Sequence, residues 1–281
     1  MLKISKKTLR LFLEYNVEIA SLIVRHNDSS NFQVKRVYES NDFVDDYLPQ
    51  TELQIPERTI LEELRNELPF FRMLDIGVGT GRTTKHFAGL VKEYVGVDYS
   101  SALIKACREK FPKYKLEWAD ARNLSLFDDA HFDFVLFSFN GIDAVEHKDR
   151  LTILREIRRV LKRGGYFCFS TLNLNSWQLK PPFRLSKNPT TLYRNTYNFL
   201  LNHKVWSAIK PTGKQTQHMM AYFRYKDFLV RDYFSTPSEQ LKQLQDAGFS
   251  DTKAYSLNSG KEVVDPTNML DYYVYFLSKA K

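Results

Sequence analysis

The sequence predicts an α/β protein: a doubly wound, mostly parallel sheet of seven strands with helices on both faces. Three observations carry this expectation. Apolar runs of strand length alternate with segments of helical period between residues 56 and 172, three alternate glycines join the first run to the helix after it, and acidic residues close successive strands. In order, the pattern predicts helix 56–67, strand 70–76, helix 82–91, strand 93–98, helix 100–111 and strand 114–119. Strand 132–139, helix 149–162 and strand 165–172 follow. Strict alternation of this kind implies right-handed crossovers between parallel neighbours. After a long interruption, 237–247 reads as a helix closed by Gly248, and 249–257 and 271–278 as two further strands.

The glycine turn, Leu74-Asp-Ile-Gly-Val-Gly-Thr-Gly81, places Gly77, Gly79 and Gly81 at a strand-to-helix corner, where bare backbone can approach a nucleotide and the helix N-terminus can face it. Asp98 closes the next strand 21 positions after Gly77. That is close to the roughly 20 residues expected before a carboxylate that accepts from ribose hydroxyls. The competing role for Asp98 is to cap the helix that begins near Ser100 and Ser101. A third strand ends in Asp120-Ala-Arg and a fourth runs into Phe139-Asn-Gly-Ile-Asp143, so all four ends would face one crevice.

Through Leu74 to Gly81, Val95-Gly-Val-Asp98, Ala119-Asp-Ala121 and Leu161-Lys-Arg-Gly-Gly165, the chain resembles the class I S-adenosylmethionine-dependent methyltransferases. The resemblance is close over about residues 56–172 and extends loosely to Asp246-Ala-Gly-Phe249 and the final strand. It implies S-adenosylmethionine as cofactor. Asp75, Gly77, Gly79 and Gly81 would contact its methionine part, Asp98 the ribose, Asp120 and Ala121 the adenine, with Tyr99 a further cofactor contact. Ser138 to Asn140 would pass near the methionine end. The resemblance also pairs the last two strands antiparallel at one sheet edge. A nicotinamide dehydrogenase is the competing class, but the third glycine follows after a single residue, and a second acid at Asp120 suits an adenine amino group. Phe139 to Asp143 also looks like a bacterial subgroup acting on small molecules. Members of that subgroup often carry His-Asn after the fifth strand, where this chain has Leu172-Asn173, so no histidine role transfers to that position.

Domain organisation follows from the same pattern: an N-terminal helical extension at 1–55, a cofactor-binding domain at 56–172 and 235–281, and an insert at 173–234 after the fifth strand. Leu9, Phe12, Asn16, Ile19 and Ile23 place residues 5–25 on an amphipathic helix. The 43% hydrophobic content suffices for a substantial core, and no run reaches the roughly 18 apolar residues of a membrane span. Cys107 and Cys168 read as buried thiols of a cytoplasmic protein. No cysteine or histidine spacing suggests a metal site.

The insert holds ten basic residues against Asp227 and Asp232, which accounts for the whole formal charge of +8, and it carries twelve aromatics. Placed over the crevice, it reads as a substrate lid for a small, anionic or aromatic acceptor, with Arg194, Tyr197, His218 and Tyr222 as candidate contacts beside Asn140 and Asp143. Two alternatives are RNA bound by phosphate contact and base stacking, and a solvated surface over a small aromatic core. Methyl transfer asks mainly for alignment and, for a hydroxyl or protonated amine, a base. His147 and His218 are the candidate catalytic bases, each with a packing role as the competing reading; a carboxylate acceptor would need none. A SAM-binding protein without turnover is the non-enzymatic alternative.

Overall fold

The computed structural model describes residues 37–40, 44–45, 48–178, 185–189, 191–192, 196, 217–225 and 228–281; for 177–178, 221–225 and 228–230 it describes the backbone alone. The expected helix at 5–25 and the lid residues Arg194 and Tyr197 lie outside these residues, and Tyr222 is placed by its backbone only.

Five strands form the parallel half of one sheet: β1 (Arg72–Ile76), β2 (Glu93–Asp98), β3 (Lys115–Trp118), β4 (Phe132–Phe137) and β5 (Leu161–Asn173). They lie in the order β3-β2-β1-β4-β5. Chain direction across the sheet reverses between β1 and β4, which opens a crevice at their carboxyl ends. Helix α1 (Ile55–Glu63) precedes β1; α2 (Thr84–Phe87), α3 (Ser101–Lys110) and α4 (His147–Val160) are the crossovers. The segment expected to be helical over 82–91 keeps only the four residues of α2 before turning at Gly89.

Successive residues of these strands feed two different cores, as the period of two requires. Val135 and Phe137 join Leu74, Ile76, Phe167 and Phe169 on one face, packed against Ile153, Leu154 and Ile157 of α4. Phe134 and Leu136 join Met73, Tyr94 and Cys168 on the other, against Ile60 of α1 and Ile104 of α3. Burial of Ile153, Leu154, Ile157 and Val160 at spacings of three and four explains why the otherwise charged α4 is helical here. Cys107 and Cys168 are both buried free thiols.

Beyond β5 the sheet departs from the expected seven strands. A hairpin of β6 (His218–Tyr225) and β7 (Phe228–Ser235) comes from the end of the insert, and β7 pairs parallel with β5 at Leu172–Phe234 and Asn173–Ser235. It takes the side of β5 that β4 vacates after Phe137. Helix α5 (Pro237–Asp246), capped by the Thr236 hydroxyl on Glu239 N–H at 3.2 Å, leads to β8 (Phe249–Ser256). The short β9 (Glu262–Val263) pairs with β8, and β10 (Tyr273–Ala280) lies antiparallel between β5 and β8. The described residues therefore give one ten-stranded sheet. Of the three extra strands, β6 and β7 arise because the insert's last residues have strand-forming sequence and an open β5 edge beside them, while β9 is a two-residue addition beside β8. Among the described residues, no helix is long and apolar enough to cross a membrane.

Candidate active site

A cleft of about 1020 Å³, open space at its mouth included, occupies the carboxyl ends of β1 to β4. Gly77, Gly79, Asp98, Tyr99, Asp120, Ala121 and Ser138, all expected at the cofactor, line it. Gly77 has φ +69°, and an added Cβ would stand 3.0 Å from the Phe137 ring, so the loop is held as bare backbone against the cleft. Asp98 reaches back across the turn: its Oδ2 accepts from Gly79 N–H and its Oδ1 from Ser100 N–H, both at 2.8 Å. The carboxylate thus ties the glycine loop to α3, where the Ser100 hydroxyl caps Leu103 N–H. Burial pushes the Asp98 carboxyl up to about 6, against those two hydrogen bonds.

Three expected cofactor residues are not in the cleft wall. Asp75 is sealed inside the sheet, its Oδ2 accepting from the Thr83 hydroxyl at 2.6 Å and the Tyr94 hydroxyl at 2.7 Å, while Oδ1 is buried without a partner. Burial pushes its carboxyl up to about 7 despite those donors. Gly81 packs under the loop against Phe111 and Cys107. Asn140 stands behind the mouth, and its backbone N–H is anchored by the Ser170 hydroxyl at 2.8 Å.

At the methionine end expected by resemblance, a buried polar network fixes Ser138. The guanidinium of Arg82 grips Glu57 through Nη1–Oε2 at 2.5 Å and Nη2–Oε1 at 2.8 Å, and reaches the Ser138 hydroxyl at 3.1 Å. Ser138 donates to Glu57, and Tyr275 OH contacts Glu57 Oε1 at 3.0 Å and Gln54 Oε1 at 2.6 Å. Burial works to raise the Glu57 carboxyl, but the Arg82 hydrogen bonds and charge prevail and hold it below its usual range. Phe139 and Asn140 then follow with φ +54° and +60°, two consecutive left-handed residues without a glycine. Such a pair is strained and persists where its surroundings hold it. Asn140 Oδ1 is buried without a partner, although the Asn140 side chain also meets Tyr273 OH.

Asp143, expected to orient substrate, is a structural residue instead. It is wholly buried, paired with the equally buried Arg150, and accepts from the Thr171 hydroxyl at 2.8 Å and Leu172 N–H at 2.7 Å. An acid five residues past Ser138 was legible, but its partner was hidden one turn into the next helix.

His147 and His218, considered separately as bases, meet each other. Their rings stack at 4.2 Å with planes 3° apart, and neither lines the cleft. They join the start of α4 to the start of β6, beside Arg231 of β7, which pairs with Glu146 at 2.8 Å. Of the ten basic residues in the insert, the described side chains are Lys187, exposed, and this Arg231, buried.

The wall also includes Phe139, within the expected Ser138–Asn140 stretch, and residues the sequence did not mark as cleft lining: Tyr38, Ser100, Leu103, Arg122, Val145 and Ile153. Arg122 had a signal in the Asp-Ala-Arg triplet. Tyr38 had none, because only the fold carries residues 37–40 to the mouth of α3, where Glu39 accepts from Ser101 N–H at 2.9 Å.

A glycine loop, an acid on the following strand and a crevice at the strand ends together define a nucleotide-cofactor-binding α/β protein. A family model described as a methyltransferase domain matches residues 73–165. An uncharacterised protein of Methanocaldococcus jannaschii is 31% identical over 162 residues, 58% of this chain and 73% of that one. The ubiquinone/menaquinone biosynthesis C-methyltransferase UbiE of Ectopseudomonas mendocina is 38% identical over 112 residues, 37% of this chain and 42% of that one. The chain therefore spans less than half the length of that C-methyltransferase. Among solved structures, a S-adenosylmethionine-dependent methyltransferase of Thermotoga maritima, described as a possible histamine N-methyltransferase, shares the fold. It has a TM-score of 0.51 at 23% identity, and the match covers 88% of this chain and all of that one. The chain belongs to the class I S-adenosylmethionine-dependent methyltransferases. Its cofactor is S-adenosylmethionine. The cleft suits that molecule, with bare glycine backbone at Gly77 and Gly79, a carboxylate at Asp98 and an apolar wall that includes Leu103, Ala121 and Ile153.

Proposed function

We propose that this methyltransferase acts on an oxygen or nitrogen, a carboxylate included, of a small anionic or aromatic molecule presented at the Ser138–Asn140 end of the cleft. The observation that carries the proposal is the buried, unpartnered Asn140 amide oxygen on a strained turn that Glu57, Arg82 and Ser170 hold rigid. A buried acceptor without a donor costs about 1–3 kcal/mol; Asn140 lies between the wall residues Phe139 and Gly141, and an O–H or N–H of an acceptor molecule relieves that cost once the turn admits it, whereas a carboxylate acceptor does not. S-adenosylmethionine, when bound, supplies a methyl group already activated by its sulfonium. The chain then has to bind and align: Asp98 with Tyr99 at the ribose, Asp120 and Ala121 at the adenine, the glycine loop and Ser138 at the methionine part. The cationic insert supports an anionic acceptor through the chemistry of its arginines and lysines. The Thermotoga neighbour is described as a possible histamine N-methyltransferase, and a small acceptor here is consistent with that description. The C-methyltransferase match covers only 37% of the chain, so it bears on the cofactor more than on the acceptor.

Incubation of the protein with radiolabelled S-adenosylmethionine and a cell extract is the direct test. Label in the small-molecule fraction is expected; label in RNA would replace this reading with the nucleic-acid one. Binding of S-adenosylmethionine with no label transferred to any fraction would favour a binding protein without turnover.

A further inference from the structure

One arginine monopolises the acid expected at the adenine. Asp120 Oδ1 accepts from Arg122 N–H at 2.9 Å and from Nε at 3.0 Å, while Oδ2 accepts from Nε at 3.0 Å and Nη2 at 2.6 Å. Three N–H groups of Arg122, the Nε–H shared between both oxygens, therefore engage Asp120 and leave a purine amino group to compete with the guanidinium for the carboxylate. Arg122 has a second seat: Nη1 donates to Asp149 Oδ2 at 2.8 Å. Asp120 stands two residues past the end of β3, whereas Asp149 stands in the first turn of α4. Arg122 and Asp120 line the cleft, and Asp149 does not. All three side chains are between a quarter and a third exposed, so the guanidinium has room to move between its two partners.

We propose that Arg122 is a specificity-determining latch: it occupies Asp120 while the cleft is empty, and shifts fully to Asp149 so that Asp120 can accept the exocyclic amino N–H of the bound purine. The inference rests on the reading that Asp120 faces the adenine. Asp149 is then a positioning residue. It never touches the ligand, but it replaces one ion pair with another and spares a partly buried guanidinium the loss of its partner. Without it, Arg122 has no reason to leave, and Asp120 stays closed to the purine. A hypoxanthine ring presents a carbonyl where adenine presents the amino group, so an open Asp120 rejects it and a closed Asp120 is indifferent.

The test is calorimetric, with S-adenosylhomocysteine and S-inosylhomocysteine as probes of the wild type, Asp149→Asn, Arg122→Gln and the double variant, each first checked for an unchanged thermal transition. The wild type is expected to prefer the adenosyl compound. Asp149→Asn should weaken its binding about tenfold, the scale of one charge-assisted hydrogen bond, and shrink the preference. Arg122→Gln should keep the preference, and adding it to Asp149→Asn should restore what that variant lost. That rescue is the outcome a merely structural Asp149 cannot give. Unchanged discrimination in Asp149→Asn, or no recovery in the double variant, overturns the latch. Equal binding of both compounds by the wild type overturns instead the reading that Asp120 faces adenine. If an Asp149→Asn chain melts early, the same comparison in Asp149→Glu, which keeps the second seat, must show wild-type discrimination.

Discussion

His147 Nδ1 lies 2.8 Å from the hydroxyl of Tyr233, and that hydroxyl accepts from Gln243 Nε2 at 3.0 Å. Tyr233 and His147 thus share one hydrogen bond, and the His147 ring stacks on His218. The cluster joins α4, α5 and the β6–β7 hairpin. Burial first, and the neighbouring His218 second, hold the His147 ring below its usual value. A histidine depressed in the folded state takes its proton sooner when unfolded. Its contribution to stability is therefore intact above about pH 6.5 and lost as pH falls below it. Urea unfolding at pH 7.5 and 5.5 should show acid destabilisation that is reduced in His147→Gln. Turnover of His147→Gln and His218→Gln at neutral pH should remain near normal, since neither ring lines the cleft. A hundredfold loss of turnover with an unchanged melting temperature would return the pair to the role of base.

The Asp143–Arg150 pair yields a prediction about stability alone. Both side chains are fully buried, and Arg150 is further held by Gln240 at 2.5 Å and Thr171 at 2.9 Å. Removing one charge strands the other in the interior. Asp143→Asn should lower the unfolding free energy by about 3–5 kcal/mol in denaturant titrations. Asp143→Asn with Arg150→Gln should cost less than the single change. In chains that fold, S-adenosylhomocysteine affinity should stay within about twofold of wild type, because neither residue lines the cleft; a large loss of affinity would reinstate Asp143 as a binding residue.

The parts of the site that were readable in sequence are those whose partners are near in the chain or fixed by strand topology. Gly77, Gly79, Asp98 and Asp120 sit at strand ends, and a parallel sheet places all such ends along one crevice. The two apolar faces of β4 were equally legible, since a buried parallel strand writes both into consecutive residues. What escaped depends on distant pairing. Nothing around Glu57 announces that its carboxylate will close on Arg82, 25 residues away, or on Ser138, 81 away. The insert misled for a related reason. Its charge was visible, but the strand pairing of its last residues with β5 depends on an edge that exists only once β4 has ended.

Gly81 separates packing from ligand contact within one loop. Its φ is +89°, and an added Cβ would lie 2.4 Å from Phe111 Cε2 and 3.0 Å from Cys107 Sγ. Gly81→Ala should cost about 2–4 kcal/mol, combining left-handed backbone strain with overpacking. Phe111→Leu in the same chain should recover part of that loss by clearing the collision. Denaturant unfolding of the two variants measures both terms; if Phe111→Leu adds to the damage instead, the cost lies in the backbone and not in the contact.

Asn140 permits a change that isolates its side chain. At φ +60° it occupies a conformation that glycine adopts without penalty, so Asn140→Gly removes the amide while relaxing the turn. The Ser170 contact to the backbone N–H survives, since it does not involve the side chain. The melting temperature should therefore hold or rise, and S-adenosylmethionine affinity should stay within about twofold if the amide serves the acceptor. kcat/KM for the acceptor should fall about 10–100-fold, the scale of a hydrogen bond lost where the reacting group is aligned. Cofactor affinity falling in step with kcat/KM would move Asn140 to the cofactor instead. The opposite substitution sharpens the assignment: Asn140→Ala deletes the same amide but keeps a Cβ in the left-handed region. It should lose activity as Asn140→Gly does and be less stable by about 1–2 kcal/mol.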